Sequence, residues 1–136
     1  MTEVGNVYGE SLYELARDEG LTKLIGEQLI VLQQAFRQEP EYIRLLSSPN
    51  LTKTERCQIL DEGFRGNVHA YVLNFLKILT EKGYMRYFSD CCDAFTAHYD
   101  QDNGILRVNA VTVEFLLMQL LKYFQLKVEL LDLVDF

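Results

Sequence analysis

A chain of 136 residues, 49% hydrophobic and 24% charged, has the composition of a globular protein and the length of one ordinary domain, or of a small domain with an appended segment. Its net charge of −7 and pI of about 4.8 repel phosphate backbones and anionic headgroups, which argues against nucleic acid as a partner and against direct membrane binding.

The first hundred residues carry helical periodicity. From Glu3 to Glu19, Val4, Val7, Tyr8, Leu12, Leu15 and Ala16 share one half of a helical wheel, and Gly20 supplies a stop. Leu21 to Gln38 repeats the pattern through Leu21, Leu24, Ile25, Leu29, Val31, Leu32, Ala35 and Phe36, interrupted by Gln28. A short third helix starts at Pro40, carries Tyr42, Ile43, Leu45 and Leu46, and ends at Ser47-Ser48-Pro49. Thr52-Lys53-Thr54-Glu55 reads as a capping box, and the helix behind it is expected to bury Cys57, Leu60 and Phe64. A turn from Gly63 to Gly66 leads to Asn67, the expected cap of a fifth helix running to Lys82 and closed by Gly83. A sixth places Tyr84, Phe88, Cys91, Cys92, Phe95 and Tyr99 on one side. Six amphipathic helices joined by short turns predict a mainly α protein, a six-helix bundle over residues 1–103.

The pattern changes at Asp100-Gln101-Asp102-Asn103-Gly104, a turn-forming cluster. Ile105 to Val113 alternates like a strand, Glu114 to Gln125 is helix-like, and Lys127 to Val134 is strand-like again. Residues 104–136 are therefore expected to form a small partial α/β segment after a boundary near residue 103.

No catalytic or metal-binding constellation emerges. His69 and His98 lie on different expected helices, without cysteines or carboxylates at ligand spacing. Asp100-x-Asp102-x-Gly104 begins like a calcium loop, but its glycine comes one position early and Val111 stands where a bidentate glutamate belongs. Glu39 and Glu41 flank Pro40 at a helix start, where carboxylates suit the helix dipole. Three cysteines, two adjacent and none in a C-x-x-C pair, make no disulfide framework, and a reducing, cytosolic compartment is expected. The N-terminal residues lack the features of a signal or transit peptide, and the apolar stretch Phe115 to Leu126 is too short for a bilayer. No cofactor is expected, and no catalytic residue is assigned.

The fifth helix is the unusual element. Between Val68 and Lys82, nine of fifteen residues are apolar, and the main stripe spans nearly half the wheel. A helix covering one side of a small bundle needs a stripe of about 100°. A central position explains this breadth; an edge left open as a groove for a partner helix also does.

Three segments in order resemble the delta subunit of F-type ATP synthase, the equivalent of the mitochondrial oligomycin-sensitivity-conferring protein. Val7-Tyr8-Gly9-Glu10-Ser11-Leu12-Tyr13-Glu14-Leu15-Ala16 is similar to the family's opening Y-A-x-A-L-x-E-L-A, with Gly9 replacing an alanine at a helix-propensity cost of up to about 1 kcal/mol. Glu39-Pro40-Glu41 through Leu45-Leu46-Ser47-Ser48-Pro49 resembles N-P-x-x-x-x-L-L-x-x-P. Leu73-Asn74-Phe75-Leu76-Lys77-Ile78-Leu79 resembles N-F-L-x-x-L, with Lys82-Gly83 behind it.

The resemblance implies a six-helix N-terminal bundle in a non-catalytic stator subunit. Helices one and five would form a groove for the N-terminal helix of an alpha subunit, drawing on Tyr8, Ser11, Leu12, Leu15, Val72, Phe75, Leu76 and Leu79. Leu76→Asp is expected to abolish such binding without unfolding the bundle. The C-terminal part would engage the peripheral-stalk b subunits, holding the protein indirectly at the cytoplasmic face of a bacterial inner membrane. The family normally continues into a glycine-rich strand pair and a final helix, so the C-terminal domain is expected to be shortened or divergent. An unrelated all-helical adaptor, such as a death-domain-like module, and a small enzyme with a dispersed site are the alternatives.

Overall fold

The structure is a computed structural model that describes residues 2–106, together with Glu114, Met118, Lys122 and Tyr123. Six α-helices and a short 3-10 turn make up the described residues: α1 (Glu3–Asp18), α2 (Thr22–Gln38), α3 (Glu41–Leu46), α4 (Lys53–Phe64), α5 (Ala70–Lys82), the turn Met85–Tyr87, and α6 (Phe88–Asn103). This is the mainly α bundle that the periodicity predicts. The strands expected at 105–113 and 127–134 lie outside the described residues except for Ile105 and Leu106, and neither of those two is in a strand. Glu114, Met118, Lys122 and Tyr123, within the expected helix 114–125, have helical backbone.

Local chemistry sets most helix ends. The Thr2 hydroxyl accepts the Gly5 N–H at 3.0 Å to open α1. Thr52 and Glu55 make the reciprocal capping box of α4, at 3.1 Å each way. Gly83 closes α5 at φ 74°, a left-handed conformation that lets the Tyr84 N–H reach back to the Leu79 carbonyl at 2.8 Å.

The start of α5 departs from expectation. The helix begins at Ala70 and its cap is His69, whose Nδ1 accepts the Tyr71 N–H at 3.0 Å. Asn67 instead turns its side chain back to the Gly63 carbonyl at 3.2 Å, and Gly63 lies inside α4 rather than in the turn. The Gln28 side chain, the polar interruption of α2, accepts the His69 N–H at 2.8 Å. A distant residue thus helps to place this terminus, which short-range capping rules cannot anticipate.

The turn cluster expected at 100–104 is the last turn of α6, and only Gly104 lies beyond the helix. Both carboxylates of the stretch that begins like a calcium loop are engaged. Asp102 accepts the Tyr13 hydroxyl at 2.7 Å, and Asp100 accepts the Leu106 N–H at 3.2 Å.

α1 packs chiefly along α6, α4 against α5, and α2 touches α1, α3, α5 and α6. Leu12, Tyr13, Ile25, Leu32, Leu46, Leu60, Phe64, Leu76, Phe88 and Phe95 belong to one continuous core. The α1–α6 crossing is close because Gly5 and Gly9 face it. A methyl group at Gly9 would drive into the Cys91 carbonyl oxygen and come within 2.7 Å of the Ala94 Cβ. The glycine whose helix propensity looked unfavourable is therefore required by the approach of the neighbouring helix.

Beyond Asn103 the chain also touches the bundle. Leu106 packs over Gly26, where an added Cβ would lie 2.8 Å from its Cδ2. The Tyr123 ring covers Gly63, and its hydroxyl donates to the Ile59 carbonyl at 3.1 Å.

Candidate functional site

Part of the α1 stripe does not face the core. Gly5, Gly9, Leu12, Tyr13 and Ala16 are buried against the bundle, whereas Val7 and Leu15 are 53% and 39% exposed. Two nearly adjacent faces of α1 are thus apolar: one packs on α6 and the other stays open. On α5, Val72, Leu73, Phe75, Leu76 and Leu79 are buried, while Ile78 is 42% exposed.

The exposed residues converge. Val7, Tyr8, Ser11, Leu12 and Leu15 from α1, with Tyr71, Asn74, Phe75 and Ile78 from α5, line an open groove of about 520 Å³. The Tyr8 ring meets the Tyr84 ring edge-on at 5.9 Å, beside the C-terminal end of α5. Tyr8, in the N-terminal half of α1, therefore lies near the C-terminal end of α5. From Val7 to Leu15 the groove extends about 12 Å at the helical rise of 1.5 Å per residue, somewhat over two turns. Val7, Leu15 and Ile78 are three of the few large apolar side chains left exposed among the described residues. Scattered apolar exposure is ordinary; here three such side chains border one concave strip.

The sequence-derived groove residues divide accordingly. Tyr8, Ser11, Leu12, Leu15 and Phe75 line the groove. Val72, Leu76 and Leu79 are 0% exposed and form the core beneath it. The expectation that Leu76→Asp would spare the fold is thereby corrected, because a carboxylate would stand in a fully buried apolar position. Val7, Tyr71, Asn74 and Ile78 were missed. The signal was present in the register: on α5, residues 71, 74, 75 and 78 repeat at i, i+3, i+4 and i+7 beside the buried stripe.

The remaining chemical candidates have structural roles. His69 caps α5, and the His98 ring stacks on Tyr13 with centroids 5.6 Å apart. Burial pushes the Cys91 thiol up to about 12 and raises Cys92 well above the ordinary thiol range. Cys57, expected to be buried, is only partly so; its thiol is raised by desolvation and by Glu81, to which it donates at 3.7 Å. Among the described residues no group of three His, Cys, Asp or Glu side chains is arranged to hold a metal ion.

The family model for the ATP synthase delta (OSCP) subunit matches residues 4–129. The chain is 31% identical over 110 residues to ATP synthase subunit delta of Lactobacillus gasseri, covering 81% of this chain and 60% of that relative. It is 32% identical over 110 residues to the corresponding subunit of Alkaliphilus oremlandii, again with 81% and 60% covered. With that of Synechococcus elongatus it shares 26% identity over 102 residues, 75% of this chain and 57% of the relative. The matched region thus spans about 60% of the length of these curated relatives. On the family match across nearly its whole length, this chain belongs to the ATP synthase delta (OSCP) subunit family.

Proposed function

We propose that this chain is a non-catalytic stator connector of a bacterial F-type ATP synthase, gripping the N-terminal helix of an alpha subunit in the groove between α1 and α5. The observation that carries this reading is the open apolar groove, with Val7, Leu15 and Ile78 exposed along it. A stator holds the catalytic head still against rotor torque during proton-coupled ATP synthesis. That task needs buried apolar contact and slow dissociation. A groove somewhat over two turns long suits an amphipathic helix laid in with anchors at i, i+3 or i+4, and i+7.

The division into a head-binding bundle, 1–103, and a C-terminal segment, 104–136, is part of the same proposal. The segment would reach the b subunits of the peripheral stalk, and the complex would hold the protein at the cytoplasmic face of the inner membrane. Among the described residues no helix is long and apolar enough to cross a membrane, which is compatible with a peripheral place. Family membership sets aside the unrelated-adaptor reading.

The test is a titration of the chain with a synthetic alpha-subunit N-terminal peptide. The expected result is saturable binding that Ile78→Asp or Val7→Asp weakens at least about tenfold, the equivalent of losing most of one buried aliphatic contact. Both positions are exposed, so the bundle should keep its helical circular dichroism. Undiminished binding by both variants would remove the groove from the proposal. Purification of membranes stripped at low ionic strength provides the second arm: head and stalk subunits should accompany the chain.

A further inference from the structure

The groove has one charged edge. Glu3, Glu10, Glu14 and Asp18 are exposed along the outer side of α1. Glu14 and Asp18 lie seven residues beyond the groove-lining Val7 and Ser11, and therefore on almost the same lines of the helix. Glu10, Glu14 and Asp18 recur every four residues, stacking like charges one turn apart. That spacing disfavours the helix that bears it, and Asp18 adds a carboxylate at the negative end of the helix dipole. The one cation of α1, Arg17, turns to Asp18 at 3.8 Å, and no ion pair within the described residues engages Glu3, Glu10 or Glu14.

The opposite edge differs. Along α5 the polar residue lining the groove is uncharged Asn74. Lys77 turns away to Asp61 on α4 at 2.6 Å, and Glu81 accepts the Cys57 thiol on the same side at 3.7 Å. The groove is thus apolar along its floor and acidic along α1, while the charge in register with its α5 wall is the exposed Lys82, seven residues beyond the groove-lining Phe75.

We infer that this acidic edge selects the occupant: an amphipathic partner helix whose apolar stripe is flanked, on the side facing α1, by lysine or arginine residues one turn apart. Charge complementarity also argues against a second copy of this chain, whose own α1 would bring carboxylates against carboxylates. The inference rests on the proposed use of the groove and specifies the chemistry of what enters it. Exposed charges of this kind act mainly on association rate and partner choice, and salt screens them.

The double variant Glu10→Gln/Glu14→Gln separates this from a structural role, because the two effects have opposite signs. Relieving like-charge repulsion should leave the melting temperature of the free chain unchanged or raised. The same variant should bind the alpha-subunit N-terminal peptide about 3- to 10-fold more weakly at low salt, through a slower association rate. Between about 10 mM and about 1 M salt, where the screening length falls from roughly 30 Å to roughly 3 Å, wild type and variant should converge. If the peptide binds and the variant matches wild type in affinity and salt dependence, the inference is overturned while the groove reading stands. A lowered melting temperature would overturn it too, by assigning the carboxylates to the fold. If the peptide fails to bind wild type, the groove reading falls. Two designed helical peptides, sharing a leucine stripe and flanked by lysine or by glutamate, then decide the charge question. Preference for the lysine peptide supports the acidic edge, and equal or absent binding of both overturns it.

Discussion

Cys91 and Cys92 show how one residue type can be read from sequence in kind but not in degree. Both lie on the inward face of α6, where removal from water disfavours the thiolate; Asp90 and Asp93 add to the rise. Cys57 shares the direction of shift but remains partly exposed. At pH 8 a maleimide should therefore modify the native chain slowly, at Cys57 alone, while denaturant should expose all three thiols; mass spectrometry of the labelled peptides would detect a departure. Gln33 makes the same point among polar residues. It is buried between α2 and α6, and its Nε2 lies 3.1 Å from the Ser89 carbonyl, 3.0 Å from the Ser89 hydroxyl and 2.9 Å from an Asp93 carboxylate oxygen. Helical register sets it beside buried Leu29 and Phe36, unlike exposed Gln34, but the groups that satisfy its amide lie more than fifty positions away.

At the scale of helices, the α1–α6 crossing depends on what its glycines lack. Gly9→Ala gains up to about 1 kcal/mol of helix propensity but forces a methyl group against the Cys91 backbone, and overpacking of this kind typically costs about 1–3 kcal/mol. Because the obstacle is backbone, the upper part of that range applies, and subtracting about 1 kcal/mol leaves an expected net loss of about 1–2 kcal/mol, readable as a lower midpoint in urea. An unchanged or raised midpoint would show that the helices can move apart without penalty. The α4–α5 pair is joined by charge as well as packing: Asp61 receives Lys77 at 2.6 Å and Arg65 at 2.7 Å. The Lys77 hydrogen bond and then that of Arg65 hold the Asp61 carboxyl below its usual value, against the opposing effect of desolvation. A depressed folded-state pKa means that this contribution is fully present above the unfolded value near 4 and is lost as pH falls through the folded value. Asp61→Asn should accordingly cost about 1 kcal/mol at most at pH 7, since the pair is partly solvated, and the difference from wild type should vanish in strong acid.

At the scale of the whole molecule, the broad apolar surface of α5 serves two purposes by depth. Leu76 and Ile78 are two positions apart, yet one is fully buried and the other faces the groove. An aspartate at Leu76 places an unpaired charge in the core, a penalty comparable to the whole stability of about 5–15 kcal/mol expected for such a domain. Leu76→Asp should therefore lose cooperative thermal unfolding, whereas Ile78→Asp should keep it. A folded Leu76→Asp protein would contradict the assignment of that side chain to the core.

Much of this organisation was legible in the chain itself, because helix periodicity, capping boxes and glycine stops are local properties. Helix type, the capping box of α4 and the Gly83 stop followed from residues a few positions apart. So did the family resemblance, carried by short ordered segments, whereas the pairing of α1 with α5 came only as an implication of that resemblance. Tertiary structure alone decided the rest. It set the start of α5 at Ala70, with the cap His69 held by its N–H donating to the Gln28 side-chain oxygen, and it made Gly9 a contact surface rather than a weak point. It also divided one apolar stripe into a buried floor of Val72, Leu76 and Leu79 and an open rim of Val7, Leu15 and Ile78. A stripe wider than 100° states how much of a helix is apolar, but which part meets solvent depends on where the neighbouring helices end, and that is a property of the packed molecule.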